Sequence, residues 1–140
     1  MKILAILFAA SCITLAPAQQ TAIAQSEHNQ STYAALAKAP ESALARTNPF
    51  AGNPREIAAG GKLFEQHCAE CHGPKGGGTR HGASLLRTEV QQAPPGALFW
   101  ILTNGVVRRG MPVWSKLPEQ QRWQIVTFLE SLSASHPPVD

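Results

Sequence analysis

The five residues Cys68-Ala69-Glu70-Cys71-His72 constrain this chain more than any other stretch. Cys-x-x-Cys-His is the attachment pattern for a c-type haem. Two thiols at this spacing on the last turn of a helix lie side by side, so each can form a thioether to one haem vinyl group. The next residue, His72, is then held under the iron as its proximal ligand. Three other readings are weaker. A thioredoxin-like Cys-x-x-Cys needs a preceding strand within a βαβ frame, and none is visible. A structural zinc site wants two more soft ligands close by, but the only other cysteine is Cys12, in a segment expected to be removed. A disulfide between Cys68 and Cys71 would close a short, strained loop.

The start of the chain reads as an export signal. Met1-Lys2 is a short positive region, and residues 3–16 are an apolar run of signal-peptide length. That run is short for a membrane span, although an uncleaved anchor helix is the competing reading. Small-residue cleavage signals end at Ala18 and at Ala24, so residues 1–24 are assigned to the signal peptide. Export agrees with covalent haem, which is attached outside the cytoplasm. The expected location is therefore periplasmic, with no membrane span after cleavage.

With 140 residues, 44% hydrophobic and 15% charged, the chain has room for one domain. Twelve Lys and Arg stand against nine Asp and Glu, and removing Lys2 takes the formal charge from +3 to +2. That balance, with no basic run and no phosphate-binding glycine motif, excludes a nucleic-acid-binding composition.

Residues 25–52 are rich in Ala, Ser, Thr, Asn and Pro and read as a flexible linker, with a short helical turn allowed near Tyr33 to Lys38 and a solvated His28. The ordered domain is expected at 53–136, with 137–140 as a tail. Asn53-Pro54-Arg55-Glu56 is a capping-box start, with Asn at the N-cap, Pro at the first helical position and Glu at the third. Ile57, Gly60 or Gly61, Phe64 and Cys68 then follow on one stripe. Two glycines inside a helix are costly. A closely crossing helix would account for them, and Phe128 is the residue expected to rest there.

After His72, Gly73-Pro74-Lys75-Gly76-Gly77-Gly78 stops the helix, and Leu85 and Leu86 are apolar enough to line a haem pocket. A second helix is expected from Pro95 to Asn104-Gly105. Its centre is apolar on every face, so it must be covered on most sides, and a porphyrin would supply one cover. Gly110-Met111-Pro112-Val113-Trp114 reads as an extended strap. Met111 is the one methionine besides the initiator, hence the one thioether available as second axial ligand. His81, in the glycine-rich loop, is the competing ligand. The last helix spans roughly 118–132, with Ile125, Phe128, Leu129 and Leu132 as its apolar stripe. Beyond it the chain should fray, leaving His136 solvated.

Over about residues 53–132 these motifs resemble, in order, the class I, His/Met-ligated c-type cytochromes. Gly60, Phe64 and Cys68 resemble that family's first helix, Cys68, Cys71 and His72 its haem motif, Gly110-Met111-Pro112 its ligand loop and Trp123 to Leu129 its closing helix. The resemblance implies a small all-α fold of three to four helices wrapped around one haem c, joined through Cys68 and Cys71, with His72 and Met111 on the iron. It also implies one-electron transfer rather than catalysis. One departure stands out: Gly82-Ala83-Ser84-Leu85 occupies the place of the family's Gly-Pro-x-Leu. There the proline carbonyl accepts from the haem histidine, a role open to the carbonyl of Ala83.

The expected partners are redox proteins, met as a free monomeric carrier or as the haem subunit of a periplasmic oxidoreductase. Lys75, Arg108, Arg109 and Lys116 flank the ligand segments and would steer acidic docking surfaces. Arg80 or Arg87 is a candidate propionate partner. An enzyme or gas sensor with an open iron site is the remaining reading, and Met111 argues against it.

Overall fold

The computed structural model describes residues 33–135. The regular elements in this range are all helices, with no strand among the described residues. Residues 1–32 and 136–140, which include the signal segment, His28 and His136, lie outside it.

A single 3-10 turn at Leu36–Lys38 leads into α1, Glu41–Leu44. The next helix, α2, runs Pro54–His67. It begins where the sequence signals: the Asn53 side chain accepts from the Arg55 N–H at 3.0 Å and Pro54 opens the helix. The reciprocal half of the expected capping box does not form. Glu56 instead accepts from Gln124 Nε2 at 2.7 Å, tying α2 to the last helix. The short α3, Ala69–His72, follows directly after Cys68. Then come α4, Thr88–Gln91, α5, Pro95–Asn104, and α6, Glu119–Ser135. The α4 turn had no counterpart in the sequence expectation, and α6 continues past Leu132.

The core lies where α2, α5 and α6 meet. Phe64, Ile125 and Val126 are fully buried, joined by Leu98, Phe99, Leu102, Trp123, Leu129 and Leu132. Burying a side chain of this size contributes about 1.5–3 kcal/mol, so these few residues carry much of the apolar stabilisation.

The two glycines of α2 have the expected cause. A Cβ placed on Gly60 would lie 1.9 Å from the Gln124 carbonyl oxygen of α6, and one on Gly61 would touch the Phe128 ring at 3.4 Å. Phe128 in turn meets Phe64, their ring centroids 5.1 Å apart. The backbones of α2 and α6 thus approach as closely as a missing side chain allows.

Residues 33–52 depart from the expected flexible linker. They pack on the domain through small residues. Ala39 and Ala43 are buried with Ala97 of α5, and Trp100 lies against them. Gly96 makes this possible, since a Cβ there would stand 1.8 Å from the Ala43 carbonyl oxygen. Buried Asn48 then anchors the segment: its Nδ2 donates to Thr127 Oγ1 at 2.9 Å, while its Oδ1 accepts from the Phe50 N–H at 2.9 Å. Arg46 pairs with Glu119 and lies 4.2 Å above the Phe99 ring, which stacks on Trp123 at 4.3 Å. Alanine-rich composition reads as linker when its partners are unknown. Here the alanines are small because α5 comes close. The arm is therefore a cover for α5, a cover the sequence expectation sought in the porphyrin.

Candidate haem site

The motif sits at a break between helices. Cys68 ends α2, its N–H donating to the Phe64 carbonyl at 2.8 Å, and its own carbonyl accepts from Cys71 and His72 at 3.1 and 2.9 Å. Both thiols therefore belong to one turn, and neither is in a disulfide. Cys68 is half-buried against the core, whereas Cys71 is exposed. Burial pushes the Cys68 thiol up to about 11, with Cys71 adding to the shift. A thioredoxin-like motif sits in a βαβ frame, whereas the regular elements around these cysteines are all helices.

The loop after His72 folds back onto the turn it leaves. Thr79 Oγ1 donates to the Cys71 carbonyl at 2.6 Å, and the Gly78 N–H donates to the His72 carbonyl at 2.8 Å. These bonds satisfy carbonyls that a helix end leaves without partners. Thr79 was not singled out from sequence, because its role depends on a loop path that composition does not reveal. The same loop carries Ala83, whose carbonyl oxygen lies 2.7 Å from His72 Nδ1. A carbonyl can only accept, so Nδ1 carries the proton, and in the neutral ring the lone pair then lies on Nε2. This is the neutral tautomer suited to a metal, with its second-side hydrogen bond in place. The alanine supplies the acceptor expected of it in the absence of proline.

Met111 is held by its backbone. Val106 and Met111 form an isolated antiparallel bridge, Val106 N–H donating to the Met111 carbonyl at 3.0 Å and Met111 N–H to the Val106 carbonyl at 3.3 Å. Gly105 permits it: its φ is +67°, and a Cβ there would stand 2.7 Å from the Pro112 carbonyl oxygen. The Trp114 N–H donates to the Leu102 carbonyl at 2.9 Å, and the Trp114 ring meets His67 at 5.2 Å between centroids. The strap is thus fixed both to the end of α5 and to the end of α2. Met111 and Cys68 both pack on the same apolar core, as do Leu85 and Leu86.

The remaining polar candidates fall at the margin. His81 is exposed, its Nε2 accepting from Arg80 Nε at 2.8 Å. Arg87 is more enclosed and pairs with Glu89 at 3.4 Å. Lys75, Arg108, Arg109 and Lys116 are all exposed. No group of three or more His, Cys, Asp or Glu among the described residues could hold a metal ion on its own. The residues present do fit a haem: two free thiols on one turn, a histidine with a fixed tautomer directly after them, and a half-buried thioether on the border of the same core.

No helix among the described residues is long and apolar enough to cross a membrane. No curated protein matches the chain. A family model described as cytochrome C oxidase, cbb3-type, subunit III matches residues 55–129, more than half of the chain and all of the segment from α2 through most of α6. With a helical fold and a family match over more than half of its length, the chain belongs to this family of c-type cytochrome domains.

Proposed function

We propose that this chain is an exported, single-haem electron-transfer protein, with haem c joined through Cys68 and Cys71 and with His72 and Met111 as axial ligands. The observation that carries the reading is the bond from His72 Nδ1 to the Ala83 carbonyl. It commits one ring nitrogen to the protein and leaves the other free for iron. The bound haem would supply the one-electron couple of its iron. The protein's task is then to hold both ligands still through the redox change. The loop bonds around His72 and the backbone bridge at Met111 serve that task. A thioether opposite histidine favours the ferrous state and raises the potential relative to two histidines.

The family's description favours a second form of the same function, in which the domain serves as the electron-transfer subunit of an oxidase complex. The exposed Lys75, Arg108, Arg109 and Lys116 would steer acidic partners in either form. In that case the rate of electron transfer falls as ionic strength rises.

The test is the visible spectrum of the mature protein, oxidised and reduced, with carbon monoxide added last. A thioether-linked low-spin spectrum with the methionine-to-ferric charge-transfer band, unchanged by carbon monoxide, is expected. A ready shift on carbon monoxide would mean an open sixth position and would sink the carrier reading. Co-purification from native membranes separates the subunit from the free carrier.

A further inference from the structure

The arm that covers α5 also reaches the haem histidine's support. Tyr33, at the start of the described residues, donates its hydroxyl to the Ser84 carbonyl at 2.8 Å, across fifty-one positions of sequence. Ser84 is the residue after Ala83, whose carbonyl holds His72. The peptide joining Ser84 to Leu85 is gripped from both sides, because its N–H donates to the Gly76 carbonyl at 2.7 Å while its oxygen takes the Tyr33 proton. Next along, Gln91 Nε2 donates to the Leu85 carbonyl at 2.6 Å, and on the other side the Thr79 N–H donates to the Gly82 carbonyl at 2.9 Å.

Proline restricts its own backbone and that of the residue before it. Alanine at 83 restricts neither, so orientation of the Ala83 carbonyl has to come from elsewhere. Tyr33 lies outside the stretch that the family model matches, 55–129. It is also the only tyrosine in the chain.

We propose that Tyr33 is a positioning residue for the haem ligand: by pinning Ser84 it holds the Ala83 carbonyl on His72 Nδ1, doing through the N-terminal arm what a loop proline would do locally. This rests on His72 being the axial ligand. A firm bond at Nδ1 gives the imidazole more electron density to donate, which favours ferric iron and lowers the potential. Tyr33 thus keeps the potential below the value that His72 and Met111 would set with a loose loop.

The experiment uses the full mature holoprotein and its Tyr33→Phe variant, which keeps the ring and removes only the hydroxyl. Two readouts are compared: the equilibrium reduction potential, and hydrogen exchange of the His72 Nδ1 proton by NMR, with the Val126 amide in the core of α6 as the reference for global opening. The expected result is a higher potential, with His72 Nδ1 exchange at least tenfold faster and Val126 unchanged. An unchanged potential and unchanged exchange would overturn the proposal. Equal acceleration at His72 and Val126 would also overturn it, since the tyrosine would then act only through overall stability. A wild-type protein with no iron-shifted His72 signals would remove the ligand assignment itself, and this inference with it.

Discussion

Of the two ring nitrogens of His72, one is spoken for by Ala83 at 2.7 Å, and Met111 is held in turn by a backbone bridge to Val106. Both proposed ligands are thus placed by hydrogen bonds, and Met111 also packs on the core. Replacing Met111 by His should therefore keep the site closed while exchanging thioether for imidazole. A lower reduction potential and loss of the methionine charge-transfer band are expected, read by redox titration and the visible spectrum. At the same scale, burial raises the pKa of Tyr33 above 10.0, with Glu89 adding to the shift and Arg87 opposing it. A raised folded-state value means the protonated hydroxyl is favoured by folding. Its contribution is present below pH 10 and is lost as pH rises through the higher, folded-state value. Since this is the only tyrosine, its ring protons in an NMR titration should show a midpoint above the ordinary value, with stability falling over the same range.

The crossing of α2 and α6 turns on which glycine meets backbone and which meets a side chain. A methyl at Gly60 would run into the Gln124 carbonyl oxygen at 1.9 Å, which cannot move without displacing α6. At Gly61 it would meet only the Phe128 ring, at 3.4 Å. Gly60→Ala should thus cost about 1–3 kcal/mol or more by overpacking. Gly61→Ala should be within about 1 kcal/mol of neutral, because better helix propensity offsets the contact. Denaturant melts of the two variants test the difference, and equal losses would count against the described crossing. Both positions were legible in the sequence as glycines awaiting a partner helix. Which one touches backbone was not, since the two differ only in the rotation of α2 against α6.

For the molecule as a whole, three longer helices and a short arm enclose a small core, and a chain of this size has little apolar area to spare. Covalent haem would add surface for those helices to cover. A chain with Cys68 and Cys71 both changed to Ala, and hence without attached haem, is expected to lack a cooperative thermal transition by circular dichroism. A cooperative melt would show that the protein core suffices. The arm's share can be measured separately. Asn48→Ala removes the donor to buried Thr127 and the acceptor for the Phe50 N–H. Thr127 keeps its bond to the Trp123 carbonyl, so the change should cost about 0.5–1.5 kcal/mol per hydrogen bond lost.

Local chemistry made much of this protein readable. Asn53-Pro54 starts a helix because cap and proline act within one turn, Asn104-Gly105 ends one for the same reason, and Cys68 to His72 carry the spacing expected of a haem motif. What the sequence could not decide were contacts between residues far apart in the chain. Ala39 and Ala43 look like linker until Gly96 is seen beneath them, and Tyr33 looks incidental until its hydroxyl is found on Ser84. Small side chains and single hydrogen bonds leave no periodic trace in a sequence. Their meaning depends on which surface the fold brings opposite them, and that was settled only by the tertiary structure.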